Sequence, residues 1–218
     1  MNNKISVLNQ ILVISTLLLS CQVREVRESK NDESASLVSL SHNTSEKYIV
    51  DKKESVVTWK GSMLLTPANA HTGYVYISRG ELMVEGSKPV GGTVEVDMNT
   101  LADKEHGGEN DLINHLKSDD FFDVKKFPVA AFFITNVVPM DGSTINVTGN
   151  LTIKGITHPV TFPAKTEVKN GIVTAIGKLS IDRTIWDIRY KSGKFFANLA
   201  DEAISDYIEL EMKIIAKK

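Results

Sequence analysis

The feature that most constrains this chain is an alternation of apolar and polar residues, with a period of two, that runs from Tyr48 to the C-terminus. Successive side chains of a β-strand point to opposite faces, so this period predicts strands with one apolar and one polar face. The segments Val94–Met98 and Leu151–Ile153 show it clearly. The pattern as a whole predicts eight or nine strands. Because no strand–helix–strand spacing occurs, we expect the sheet to be antiparallel.

Turn residues separate the apolar segments. Asp141–Gly142 and Asn170–Gly171 are typical of two-residue β-hairpins. Arg79–Gly80 and Gly91–Gly92 are predicted as further turns, since glycine tolerates the backbone angles that turns require. Alternating apolar residues in Trp186–Tyr190 predict one more short strand.

One stretch of the chain departs from the strand pattern. Asp111–Lys117 has helical spacing of its apolar residues and is the predicted helix. Phe121 and Phe122 follow it, before Phe132 and Ile134 resume the alternation. We expect this excursion to control access to the interior, with Phe121 and Phe122 acting as an entrance or lid.

The strand pattern also predicts how the sheet is closed. An open sheet of this size has edges that promote aggregation, so it must close into a barrel or split into a sandwich. Gly73, Gly149 and Gly177 fall on the apolar face of three strands. Glycine weakens a packed core, but it permits sharp bending or leaves space for a ligand. These residues favour a closed, hollow barrel of about eight strands that holds one small ligand; a barrel filled by its own side chains is the alternative.

The N-terminus predicts export. Residues 1–20 combine a short charged segment with an apolar run that is too short to span a bilayer, which is typical of a signal peptide. Cys21, the single cysteine, follows Leu-Leu-Ser and resembles the acylated cysteine of a bacterial lipobox, although an inert cysteine is the alternative. Residues 21–47 are polar and are predicted to be a flexible tether. Gln22 favours an anchor in the outer membrane, facing the periplasm.

Composition and motifs predict a protein without catalytic residues. The formal net charge of -2 gives no reason to expect a nucleic-acid partner. No nucleophile motif or phosphate-binding glycine loop occurs, so the chain is predicted not to be an enzyme. His106 and His115, with nearby acidic residues, match no standard spacing for metal ligands, so no metal site and no cofactor are predicted.

Two charged groups have alternative interpretations. Lys117, Lys125 and Lys126 would suit a phosphate head group at the barrel mouth, but interleaved aspartates favour a self-neutralised surface. Asp182–Arg183 and Asp187–Arg189, on what the pattern predicts to be neighbouring strands, favour an ion-pair cluster that fixes the barrel end. A head-group site is the alternative for that cluster.

With these residues in place, the sequence resembles the YceI-like family of secreted or periplasmic bacterial domains. The resemblance rests on motifs that occur in family order from Tyr48 to Ile215. They are Ser55–Gly61, His71–Gly73, Gly91–Gly92, Val96–Met98, His115–Asp123, Phe127–Pro128 with Phe132, Val147–Gly155, His158–Val160 and Ile181–Arg183.

The resemblance implies a lipocalin-like antiparallel barrel over residues 48–218 that holds a polyisoprenoid chain, an isoprenoid quinone or a similar lipid. It also implies that the inward apolar face of the barrel is a candidate lipid-binding surface. The other expected partner is the membrane, through the N-terminal lipid anchor; a homodimer is left open. The candidate lipid-binding residues are Val57, Trp59, Val75, Ile77, Val94, Val96, Phe132, Ile134, Leu151, Ile153, Val160, Phe162, Leu179 and Ile181.

Overall fold

The computed structural model describes residues 44–218, which form nine strands, one α-helix and two short 3-10 helices. The 3-10 helices cover Arg183–Trp186 and Ala200–Glu202. The strands and the α-helix are β1 Glu46–Val50, β2 Val56–Ser62, β3 Ala70–Glu85, β4 Lys88–Asp103, α1 Asp111–Lys117, β5 Val129–Pro139, β6 Thr144–Ile153, β7 Ile156–Lys169, β8 Ile172–Asp182 and β9 Tyr207–Lys217.

The strands form one closed antiparallel barrel. Following hydrogen-bonded neighbours, the order runs β3-β2-β9-β8-β7-β6-β5-β4, and pairing of β4 with β3 closes the ring. β1 and β2 share one position: β1 pairs with β3 near Leu82 and with the end of β9, whereas β2 pairs with β3 near Gly73. The predicted barrel of about eight strands with one short helix is therefore confirmed.

Two-residue turns set the register of the hairpins. Asn170 and Gly171 have φ angles of 52° and 73°, the left-handed conformation required at both central positions of a type I′ turn. Lys154 and Gly155 have φ angles of 52° and 73° and join β6 to β7 in the same way. Gly142, at φ 62°, lies in the β5–β6 turn, which is longer and covers residues 140–143. The hairpins predicted at 141–142 and 170–171 are confirmed.

Two predicted turns are wrong. Arg79–Gly80 lies inside β3, and Gly91–Gly92 lies inside β4; the turn between these strands is formed by residues 86 and 87. The pairing of β3 with β4 contains three register shifts. Such bulges bend a long strand, and glycine accommodates the bend, so its presence here serves curvature within a strand.

The predicted helix is confirmed over the same residues, Asp111–Lys117. The Asn110 side chain caps it by accepting a hydrogen bond from the Ile113 amide at 3.0 Å. Ile113 and Leu116 are buried against the barrel. A helix of seven residues is too short to be stable alone, so this packing holds it in place.

The segment Trp186–Tyr190 is not the predicted strand. Arg183–Trp186 forms a 3-10 helix that ends at Asp187 in the left-handed conformation. Trp186 and Ile188 are fully buried, at 1% and 0% exposure. Their alternation thus reflects burial of a compact turn against the barrel. Such a turn produces the same sequence pattern as a strand.

Candidate functional site

An apolar cavity of about 350 Å³ lies inside the barrel. Its walls come from strands β2 to β9 and from the segment that includes α1. Along β6, the lining extends from Ile145 to Ile153, which corresponds to roughly 26 Å at ~3.3 Å per residue. The cavity is thus long and narrow, and it falls in the size range of small-molecule sites.

Most of the candidate lipid-binding residues line this cavity. The exceptions are Ile77 and Val160. Ile77 is buried in a cluster with Val50 and Leu82, and Val160 packs against the core beside Phe162. Alternation identified the inward face, but these two side chains pack against neighbouring side chains of the wall and do not line the lumen. Those that line it are Val57, Trp59, Val75, Val94, Val96, Phe132, Ile134, Leu151, Ile153, Phe162, Leu179 and Ile181.

The three inward glycines make room for aromatic rings of neighbouring strands. A Cβ atom at Gly73 would overlap the Trp59 ring, and one at Gly149 would overlap the Phe132 ring. At Gly177, it would lie 2.8 Å from the Phe162 ring. Each ring therefore lies over a glycine on the wall. The glycines do leave space, as the sequence indicated, but the protein's own rings occupy it.

The arrangement of these rings shows whether the barrel is hollow or filled by its own side chains. A filled barrel would bring Trp59, Phe132 and Phe162 together. Phe132 and Phe162 do pack, with ring centroids 5.5 Å apart, and both lie beside β6. Trp59 belongs to a different cluster, with Leu116 and other residues, and all three rings line the same cavity. The lumen is therefore not filled by these rings.

Phe121 and Phe122, the predicted entrance or lid, both line the cavity. Phe121 is only 4% exposed, and its ring lies 5.5 Å from that of Phe122 and 5.9 Å from that of His115. The Tyr190 ring packs against both, at 4.4 Å from the His115 ring and 6.4 Å from the Phe121 ring. Phe121 is thus part of the wall, and its role in controlling access stays a prediction.

Sequence reasoning named Arg183 but did not predict that it is a buried cation in the cavity wall. Arg183 is fully buried and lines the cavity. Its Nε, Nη1 and Nη2 atoms donate to the main-chain oxygens of Ser205, Ile188 and Ile204 at 3.0, 2.7 and 3.2 Å. Burial lowers the pKa of Arg183, and the nearby carboxylate of Asp206 opposes that shift. The motif Asp182–Arg183 was the available signal, but alternation does not show which charge points inward.

The predicted four-residue ion-pair cluster is separated into different contacts. Asp182 accepts a hydrogen bond from Lys194 at 2.6 Å, whereas Asp187 pairs with Arg189 at 2.8 Å. Burial works to raise the pKa of Asp182, but hydrogen bonds from Lys194 and Thr184 hold it below its ordinary value. Asp182 ends β8, but the second strand assumed for these pairs is not formed, because residues 183–186 form a 3-10 helix.

The lysines that were candidates for a head-group contact are not part of the cavity lining. Lys117, Lys125 and Lys126 are absent from its lining, and Lys126 lies over the Phe127 ring at 5.0 Å.

Within residues 44–218, no group of three or more His, Cys, Asp or Glu side chains is placed to hold a metal ion. In that same range, no helix is long and apolar enough to cross a membrane. The predicted signal peptide, Cys21 and most of the tether lie outside the described residues.

Comparison with known proteins identifies the domain. The YceI-like domain matches residues 48–216 of this chain. The chain belongs to the YceI-like family. A UPF0312 protein of Pseudomonas putida strain F1 is 35% identical over 136 residues, which are 59% of this chain and 66% of that protein. One of Enterobacter sp. strain 638 is 37% identical over 101 residues, 44% of this chain and 51% of that protein. These relatives are thus matched over two thirds of their length or less.

Solved structures share the fold. BcnA of Burkholderia cenocepacia superimposes with a TM-score of 0.63 at 23% identity, over 77% of this chain and 99% of that one. A polyisoprenoid binding domain from Saccharophagus degradans, implicated in plant cell wall breakdown, superimposes with a TM-score of 0.56 at 12% identity. That match covers 78% of this chain and 97% of that domain. The barrel is therefore the fold of the YceI-like family.

Proposed function

We propose that this protein binds a polyisoprenoid, or a similar long apolar lipid, inside its barrel without catalysing a reaction on it. The observation that carries the proposal is the long apolar cavity of about 350 Å³ in a member of the YceI-like family. The fold likeness to a polyisoprenoid binding domain supports it. Transport, storage or protection of the lipid under stress would follow from such binding.

The energetics of the cavity favour an apolar chain. Burial contributes about 0.8 kcal/mol per CH2 group, so a chain with about twenty such groups gains roughly 16 kcal/mol before the costs of association are subtracted. Those costs are estimated at about 4–15 kcal/mol. A lipid would therefore bind through its chain alone, and the length and width of the lumen would set its selectivity.

The lipid content of the protein tests the proposal directly. Native mass spectrometry on protein purified gently from its own cells, or incubated with a polyisoprenoid, is expected to show a retained lipid at a ratio of one per chain. A protein that neither retains nor takes up any lipid would contradict the proposal. It would instead favour the alternative, a non-catalytic structural or stress-response envelope protein.

We also propose that Cys21 carries a lipid anchor that attaches the exported protein to the cell envelope, at the outer membrane facing the periplasm. The motif before Cys21 supports this placement. Two or three acyl chains anchor a protein stably, whereas one chain is marginal. Cys21→Ala is expected to move the protein from the membrane fraction to the soluble fraction. Matched Ser20→Ala should stay membrane-bound, and retention of both variants would place the anchor elsewhere.

A further inference from the structure

Most of the polar groups that line the cavity lie at one end of the barrel, whereas Thr166 lies near the other end, beside the β5–β6 turn. Ser62 ends β2, and its carbonyl oxygen accepts a hydrogen bond from the Ser205 amide at 2.9 Å. Ser205 in turn accepts from Arg183, whose guanidinium lies 5.3 Å from the Phe121 ring. The Phe121 ring packs against His115. The lining is apolar along most of the remaining length.

Two buried nitrogen atoms at this end have no hydrogen-bond partner among the described residues: Trp59 Nε1 and His115 Nε2. Both side chains line the cavity, and Trp59 is only 8% exposed. Trp59 pairs with Gly73 of β3, and Gly73 pairs with Asp103 at the end of β4, so Trp59 lies at the end of the barrel from which the chain leads to α1. Trp186 provides the contrast, since its Nε1 atom donates to the Leu151 carbonyl oxygen at 3.3 Å.

An unpartnered buried donor is costly, so its partner should come from the cavity. Leaving such a group unsatisfied costs about 1–3 kcal/mol. The indole N–H is a donor only, whereas an imidazole nitrogen donates or accepts according to its tautomer. An oxygen atom that accepts a hydrogen bond would satisfy Trp59, and a carbonyl or hydroxyl group of the ligand would satisfy His115, according to its tautomer.

The charges at this end disfavour an anionic head group. Arg183 is the buried cation in the lining, and its three nitrogens already donate to main-chain oxygens. His71 also lines this end, but its side chain is largely exposed and lies 4.0 Å from Asp103. Its charge is balanced by the carboxylate of Asp206, at 3.6 Å. A phosphate would therefore add an unpaired charge in a buried place, beside another anion, and this carries a large desolvation cost.

We propose that Trp59 and His115 form a head-group site for an amphiphile whose polar end is uncharged and carries an oxygen acceptor, such as a carbonyl. The long apolar chain of that amphiphile extends along the lumen. This inference rests on the proposed function, because it assumes that the lumen holds a chain. It assigns the cargo to neutral lipids rather than lipid phosphates, and it orients the head toward α1.

Three probes with the same C20 isoprenoid chain test this site: one ends in a methyl ketone, one in a phosphate, and one in a plain hydrocarbon terminus. Their dissociation constants are measured on the full-length protein, after delipidation, by displacement of the neutral dye N-phenyl-1-naphthylamine. We expect the ketone to bind most tightly. Trp59→Phe and His115→Phe should each weaken ketone binding relative to the hydrocarbon by about five- to tenfold, the value of one hydrogen bond.

Trp186→Phe is the matched control, since Trp186 lies outside the cavity lining, and it should leave that ratio unchanged. Using the ratio separates loss of the hydrogen bond from any general weakening of the fold or the lumen. Tighter binding of the phosphate probe, or an unchanged ratio in Trp59→Phe and His115→Phe, would overturn the head-group site while leaving lipid binding intact. Failure of all three probes to bind wild type would overturn the site together with the proposed function.

Discussion

At the scale of single residues, glycines determine whether the aromatic rings fit against the barrel wall. A Cβ atom at Gly149 would lie 2.5 Å from the Phe133 carbonyl oxygen and would also overlap the Phe132 ring. Gly149→Ala is therefore expected to lower the free energy of unfolding by about 1–3 kcal/mol, the usual cost of overpacking. Urea unfolding measures it. Gly91→Ala, where a Cβ would meet nothing within 4 Å, should change little, and equal effects would contradict the explanation.

Arg183 is a second residue whose effect depends on burial. Removing one partner of a buried ion pair leaves an uncompensated charge and usually costs 3–5 kcal/mol. Arg183→Met is thus expected to destabilise the barrel by about 3 kcal/mol in urea unfolding, because it leaves Asp206 and three carbonyl oxygens without this donor. Arg189→Met removes a half-exposed pair with Asp187 and should cost less than about 1 kcal/mol. A similar loss in both variants would show that burial is not the cause.

At the scale of elements, the sequence predicted those structures that depend on residues close together in the chain. Period-two alternation and the Asn170–Gly171 turn depend on nearby residues, so strands and hairpins could be predicted. Arg79–Gly80 could not be assigned, because a glycine within a bent strand and a glycine in a turn look alike until the partner strand is known. Trp186–Tyr190 was mistaken for a strand because burial of a 3-10 helix and its following turn produced the same alternation.

The cap of α1 gives a prediction at this scale. Asn110 accepts a hydrogen bond from the Ile113 amide and donates one to the Gly107 carbonyl oxygen at 3.1 Å. Asn110→Ala is expected to cost about 1 kcal/mol of stability and to speed amide hydrogen exchange in Asp111–Lys117, because a helix this short depends on its cap. Asn136→Ala, at an exposed position of β5, serves as the control and should leave that exchange unchanged. If α1 exchanges at the wild-type rate in Asn110→Ala, packing alone holds it.

At the scale of the whole molecule, the cavity is the property that the sequence could not decide. Alternation shows which side chains face inward, but whether they meet depends on barrel closure and on ring orientation. Trp59, Phe132 and Phe162 would have filled the lumen if they pointed at one another. Because glycines on neighbouring strands receive these rings, they lie on the wall and a cavity of about 350 Å³ remains.

Occupancy of that cavity should control the stability of the barrel. A ligand that binds only the folded protein at a hundred times its Kd adds about 2.7 kcal/mol. At roughly 2–4 °C per kcal/mol for a domain of this size, polyisoprenoid is expected to raise the Tm of the delipidated protein by about 5–11 °C. Calorimetry with and without the lipid measures the shift.

A variant that fills the lumen distinguishes this internal site from binding to the surface. Ala175 lines the cavity on β8, so Ala175→Trp should abolish the lipid-induced rise in Tm, whatever its own effect on stability. Ile176, the next residue, is 41% exposed on the outer face, and Ile176→Trp should keep the full rise. The comparison uses only the change on adding lipid, so the strain of the larger side chain cancels. An undiminished rise in Ala175→Trp would mean that the lipid binds outside the barrel.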